Sequence, residues 1–247
     1  MAVTKLFGAS VKRREDPRLI TGRGNFTDHI KLPGTLFMAL KRSPHAHARI
    51  TRIDTSKARS MPGVVAVYTG QDLADKLAPV PCAWLIPDSD LKVPSYRALA
   101  VDKVRYVGDA VAAVVAENRY IAEDAAEAIE VEYEVLPAVV DQEKATQPGA
   151  PQLHDDVPGN VAFTWRVSGG DVDAAFRQAE VVIRQRFVNH RLIPNAMETR
   201  AVAAQPNPAT GEVTVWVTSQ NPHIHRFVIS GILGLPEHKV RVIAPEV

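Results

Sequence analysis

The sequence predicts an α+β chain of two parts, on three observations. Period-two and helical apolar patterns follow one another between residues 36 and 137, a wholly apolar run fills most of 109–116, and the composition changes sharply between 141 and 159. Gly34–Arg42 and Ala48–Asp54 read as the first strands, the second alternating apolar and polar residues as a half-buried strand does. Thr55 or Ser56 is expected to cap a short helix by accepting from free backbone N–H groups, and Pro62-Gly63 ends it before the apolar strand Val64–Tyr68. Residues 76–98 hold four prolines and little periodicity, the character of a functional or subunit-contacting loop; it carries Trp84 and Cys82, the latter expected to pack inside it. Asp109–Ala116 has almost no polar face and is expected to be a central strand covered on both sides. Asn118 caps a helix over Arg119–Ala128 with Ile121, Ala125 and Ala128 inward, and Ile129–Val135 alternates as a strand that ends at Pro137.

Between Asp141 and Gly159 the residues turn to Gln, Pro, Gly, Asp and His, as in a linker crossing an exposed surface, and the domain boundary is placed there. Beyond it, Asp171 caps a short helix with Val172, Ala175, Phe176 and Ala179 inward, and Val181–Val188 reads as a strand. Glu212–Thr218 is a strand, Asn221-Pro222 the N-cap and first position of a helix carrying Ile224, Phe227, Val228 and Ile232, and Lys239–Ala244 a second strand. Such a unit cannot cover its own apolar surfaces, so the second part is expected to be truncated. The divisions are an N-terminal arm over 1–20, a first domain over 21–140, a linker over 141–159 and a second, incomplete domain over 160–247.

Composition excludes several classes. With 29 Lys and Arg against 28 acids the net charge is +1, too small to gather nucleic acid or an anionic membrane. A single cysteine excludes an internal disulfide and any all-cysteine metal or iron–sulfur site, and fits a reducing compartment. Arg13-Arg14 is not followed by an apolar signal core, and no run of about 18 apolar residues occurs, so a soluble, cytoplasmic protein with no membrane span is expected. No repeat or low-complexity tract is present.

Four stretches in order carry a family likeness: Arg14-Glu-Asp-Pro-Arg-Leu-Ile-Thr-Gly-Arg-Gly-Asn-Phe26, Ser43-Pro-His-Ala-His-Ala-Arg-Ile50, Val104-Arg-Tyr-Val-Gly-Asp-Ala-Val-Ala112 and Thr218-Ser-Gln-Asn-Pro-His223. Together they resemble the N-terminal portion of the large subunit of the molybdenum hydroxylases, the family of aerobic carbon monoxide dehydrogenase, xanthine dehydrogenase and aldehyde oxidase. The resemblance implies an α/β hammerhead domain to about residue 140, followed by the start of a molybdopterin-binding domain. It implies a molybdenum–molybdopterin cofactor, in the cytosine dinucleotide form, incompletely bound by this chain. The implied partners are an FAD-binding medium subunit and a small subunit with two-iron, two-sulfur clusters. A companion chain would carry the family's Gly-Gly-Gly-Phe-Gly loop and general-base glutamate, neither of which occurs here.

Gln220 is the one residue to which the resemblance assigns a cofactor contact, because the family's matching glutamine donates its amide to an oxygen ligand of molybdenum. Its place between a strand end and a helix N-terminus, where backbone donors favour anionic oxygen, agrees. No catalytic residue and no direct metal ligand is expected within the chain. Met197-Glu198-Thr-Arg200 resembles a Met-Glu-Pro-Arg segment near the family's active centre; it reads equally as a substrate contact and as a half-buried Glu198–Arg200 ion pair. His45 and His47 share a face if extended but have no third ligand nearby, so a structural role is favoured over a metal pair. His223 and His225 point apart on a helix, and Gly22-Arg-Gly24 reads as a turn, not a phosphate loop.

The function expected is therefore part of a molybdenum-dependent oxidoreductase that hydroxylates or oxidises a small substrate with water-derived oxygen, this chain alone being inactive. The alternative is a truncated, non-catalytic hammerhead module that docks to other subunits. A free small-molecule-binding protein would need a closed pocket, which an unfinished layer does not supply.

Overall fold

The computed structural model describes residues 7–82 and 85–246, so the positions of Trp84 and Val247 lie outside the described residues. In chain order the elements are α1 (Asp16–Leu19), β1 (Phe37–Arg42), β2 (Ala48–Asp54), α2 (Ser56–Ser60), β3 (Val64–Thr69), α3 (Gly70–Leu73), β4 (Lys103–Val104), β5 (Ala110–Ala116), α4 (Arg119–Glu127), β6 (Glu130–Val135), α5 (Val172–Gln178), β7 (Val202–Asn207), β8 (Glu212–Val217), α6 (Pro222–Leu233) and β9 (Val240–Ile243), with short 3-10 turns between them. They divide into two compact units. One comprises 35–195 with 231–234, the other the N-terminal residues through Gly34 with 196–230 and 235 onward.

The 35–195 unit contains two three-stranded antiparallel sheets, ordered β1-β5-β3 and β4-β2-β6. β5 is central, as its lack of a polar face predicts. Ala112 and Val114 pack with Ala58, Val67, Ala125, Ala126 and Ile129, while Val111 points the other way onto Ala48 and Val104. Both faces are thus covered, which removes any use for polar residues along this strand. α4 lies on β1 and β5. Its buried face is Ala122, Ala125 and Ala126, displaced from the expected Ile121, Ala125 and Ala128. Alanines let the helix approach the sheet closely, and Ile121 instead covers Gly63 at its edge. Asn118 Oδ1 accepts from Ile121 N at 2.9 Å, the expected cap. Asn118→Ala should lower stability by about 1 kcal/mol, read as a lower midpoint in urea.

α2 is capped differently from expectation. The Asp54 carboxylate accepts from Ser56 N at 2.9 Å and Ser56 Oγ at 2.6 Å, while the Thr55 hydroxyl accepts from Arg59 Nε. A carboxylate at the strand end is the stronger acceptor, and those Ser56 bonds hold it below the usual carboxylate range. α3 escaped the sequence reading although its signature is present: Thr69 N donates to Asp72 Oδ2 at 2.8 Å, and Asp72 N donates to Thr69 Oγ1 at 3.4 Å. The proline-rich loop is irregular, as expected, but Cys82 is exposed and not packed inside it.

Lys103 is buried, and its ammonium sits 3.0 Å from both oxygens of the Asp155 carboxylate, which is itself 77% exposed. That ion-paired hydrogen bond holds Asp155 below the usual carboxylate range. A depressed carboxylate stabilises the fold fully above its unfolded pKa of about 3.9, and the contribution fades as pH falls through the lower folded value. Asp155→Asn should therefore cost about 1 kcal/mol at neutral pH, limited by solvent screening, with the gap to wild type closing as urea titrations move below about pH 4.

α5 forms with its expected cap, Ala174 N donating to Asp171 Oδ1 at 2.8 Å. Its apolar residues are not inward, however: Val172 is 56% and Phe176 61% exposed. The strand expected at Val181–Val188 is also absent. The segment forms no ladder, and Ile183 and Phe187 are more than four-fifths exposed. Alternation specifies an extended chain, but a strand needs a neighbour for its backbone groups, and none pairs with it among the described residues.

The other unit is built on the sheet β7-β8-β9. β7 pairs antiparallel with β8, and β9 pairs parallel with β8 in the register Val213↔Val240 through Trp216↔Ile243. α6 makes the crossover, giving the expected strand–helix–strand unit. β7 was not expected, and the Pro206 within it is tolerated because β7 is an edge strand. Among the described residues no helix is long and apolar enough to cross a membrane.

Candidate functional site at the carboxyl ends of the parallel strands

The parallel pair β8 and β9 ends on one edge of its sheet, the edge where open α/β layers receive ligands. Thr218, Ser219, Gln220 and Asn221 connect β8 to α6 there. Ser219 is buried; its Oγ accepts from Asn221 N at 2.9 Å and lies 2.9 Å from His225 Nδ1, and His225 N donates to Asn221 O. These bonds stiffen the turn and leave Gln220 on its outside, exposed, with its side chain in no hydrogen bond among the described residues. Pro222 opens the helix, so the next amides, of His223 and Ile224, have no carbonyl within the helix to reach. An uncommitted amide therefore stands beside a helix N-terminus rich in donors. His225 belongs to the turn and His223 is exposed, so the two do not act as a pair.

The N-terminal segment from Arg18 to Thr27 meets the same edge. Both terminal guanidinium nitrogens of Arg18 donate to the Glu246 carboxylate, Nη1 to Oε1 and, at 3.0 Å, Nη2 to Oε2. Asn25 N donates to Glu246 Oε1 at 3.2 Å. Glu198 accepts from Thr27 N at 3.4 Å and from Thr218 Oγ1 at 3.2 Å. Glu198 is thus engaged, but no Glu198–Arg200 ion pair forms among the described residues; Oε1 accepts instead from the Thr27 amide and the Thr218 hydroxyl. Gly22, at φ +71°, serves the turn in which Arg23 N donates to Arg18 O.

Elsewhere the sequence candidates have structural roles. His47 is buried and donates from Nδ1 to Pro137 O at 2.8 Å, whereas His45 stands edge-on to Tyr133 with ring centroids 4.9 Å apart. No group of three or more His, Cys, Asp or Glu is placed to hold a metal among the described residues. Arg105, Tyr106, Val107 and Asp109 of the third family-like stretch line a recess of about 1250 Å³ in the 35–195 unit. There Asp109 accepts from Arg105 N at 3.1 Å and is pushed above the usual carboxylate range by burial, and Tyr106 is raised by burial and by its 2.7 Å hydrogen bond to Tyr96. Nothing in the sequence signalled this recess, whose walls come from segments as far apart as Ala46 and Arg191.

The aldehyde oxidase and xanthine dehydrogenase a/b hammerhead domain matches residues 21–137, and the molybdopterin cofactor-binding domain matches 153–247. The chain belongs to the molybdenum hydroxylase large-subunit family. It is 43% identical over 97% of its length to the carbon monoxide dehydrogenase large chain of Afipia carboxidovorans, and 39% identical over 98% to the nicotine 6-hydroxylase large subunit of Paenarthrobacter nicotinovorans. Among solved structures, quinoline 2-oxidoreductase from Pseudomonas putida 86 matches 97% of the chain with a TM-score of 0.84 and 37% identity. The chain spans about 30% of the length of these hydroxylase chains: 30%, 29% and 30% respectively. The residues present fit a molybdopterin in the donors they offer, since the Gln220 amide is uncommitted and faces out beside the amides of α6.

Proposed function

We propose that the chain is the N-terminal part of the cofactor-binding subunit of a molybdenum hydroxylase that oxidises a small substrate with water-derived oxygen. Residues 1–20 are its arm, 21–140 the hammerhead domain, 141–159 the linker and 160–247 the opening of the cofactor domain. The observation that carries this reading is Gln220, placed by β8 and α6 with a free amide at the carboxyl edge of a parallel pair inside a molybdopterin-domain match. Bound there, molybdopterin in its cytosine dinucleotide form supplies the redox chemistry. The protein groups orient it: Gln220 donates its amide N–H to an oxygen of the cofactor, and the α6 amides favour negative charge beside it. Substrate-positioning groups and the general base lie on sequence outside this chain.

The partners are an FAD-binding medium subunit, an iron–sulfur small subunit and the remaining sequence of the family's large subunit, in the cytoplasm. Support for that last partner comes from Trp165, Phe176, Ile183, Phe187, Leu192 and Ile193, all at least 61% exposed, and from the strand-like backbone without a ladder. The same surface favours the second reading, a docking module without chemistry of its own. Affinity purification of the tagged chain from its own source separates them. Copurification of the flavin and iron–sulfur subunits with the remaining large-subunit sequence is expected; recovery with docking subunits but without that sequence would favour the module.

A further inference from the structure

We propose that Arg18 is a positioning residue: its guanidinium fastens an N-terminal strap, residues 15–29, across the carboxyl ends of β8 and β9 and thereby fixes the turn that presents Gln220. The inference rests on the reading that this edge receives molybdopterin. Three chain segments border the edge, and each sends a polar group to the strap: Glu198 ahead of β7, Thr218 after β8 and Glu246 after β9. The strap answers with main-chain donors at Asn25 and Thr27 and with both nitrogens of Arg18.

What holds the strap is polar. α1 buries no residue, Ile20 is 84% exposed, and Thr27 is the one buried residue between 15 and 29. With so little apolar anchorage, the bidentate pair dominates the attachment, and its fork geometry is specific to arginine. Glu246 is only 9% exposed, so removing Arg18 leaves a nearly buried carboxylate with the Asn25 amide as its remaining donor among the described residues. The carboxylate then swings toward water and the strap is released. Thr218 loses the Thr27 hydroxyl and shares Glu198 with no strap amide, two residues before Gln220.

Amide hydrogen exchange on the assembled protein tests this in wild type, Arg18→Gln, Arg18→Lys and the control Arg52→Gln, whose exposed ion pairs lie on β2. In Arg18→Gln, exchange should accelerate about tenfold in 23–29 and also in 218–221, with β5 unchanged. Arg18→Lys should recover only part of the protection, because one ammonium cannot fork onto two oxygens, and Arg52→Gln should match wild type. In the same assemblies Arg18→Gln should release molybdopterin several-fold faster. Faster exchange in 23–29 with 218–221 unchanged would overturn the proposal, as would full protection in Arg18→Gln. A wild-type assembly without molybdopterin would instead sink the cofactor reading, and the exchange at 218–221 would still decide whether Arg18 governs the turn.

Discussion

Gly70→Ala is expected to destabilise the 35–195 unit by about 3 kcal/mol or more, enough to prevent its accumulation at 37 °C. Gly70 is buried at the start of α3, and a Cβ there would run into the carbonyl of Ala100, with the Ala100 carbonyl carbon at 2.7 Å and Val101 Cα at 3.0 Å. Those are main-chain atoms, tied in place because Ala100 N donates to Ala110 O at the start of β5. No flexible side chain can yield, so either α3 moves off its capping box or the central strand shifts. Urea unfolding followed by circular dichroism measures the loss. Gly108→Ala provides the contrast: nothing lies within 4 Å of its Cβ, but its φ of +92° is strained for alanine, so its loss should be smaller and local.

Gln220→Ala should lower kcat of the assembled hydroxylase about a hundredfold while leaving the unfolding midpoint unchanged. The side chain is exposed and makes no bond within the described chain, so its loss removes nothing that holds the fold. Any large effect must come through the group it donates to. Gln220→Glu keeps the size but offers only acceptors, and should lower kcat at least as far. Steady-state kinetics and molybdenum content, measured together, separate slower chemistry from cofactor loss. Equal kcat in wild type and Gln220→Ala would remove Gln220 from the site.

Where local chemistry decides structure, the sequence was legible. The apolar run of β5, the Asn118 and Asp171 caps and the Pro222 helix start all lie where their residues place them. Val181–Val188 shows the limit, since its alternation is clear but a ladder depends on a neighbour that no local pattern supplies. β7 was not expected, and the Pro206 it contains is acceptable only at a sheet edge, a property of topology. Gln220 was found through the likeness of Thr218–His223 to a family segment; its exposure and rigid turn came only with the structure. Nothing local marks Arg18 and Glu246, which are 228 residues apart, as partners. Glu198 was singled out, equally as a substrate contact and as the partner of Arg200, while its donors in the fold come from Thr27 and Thr218.

The most direct test of the central claim is molybdenum and molybdopterin analysis of the complex purified from its own source through a tag on this chain. Stoichiometric molybdenum with the pterin, lost on Gln220→Ala or accompanied there by the hundredfold lower turnover, is the predicted result. A complex that contains the complementary large-subunit sequence yet carries neither molybdenum nor pterin would contradict it.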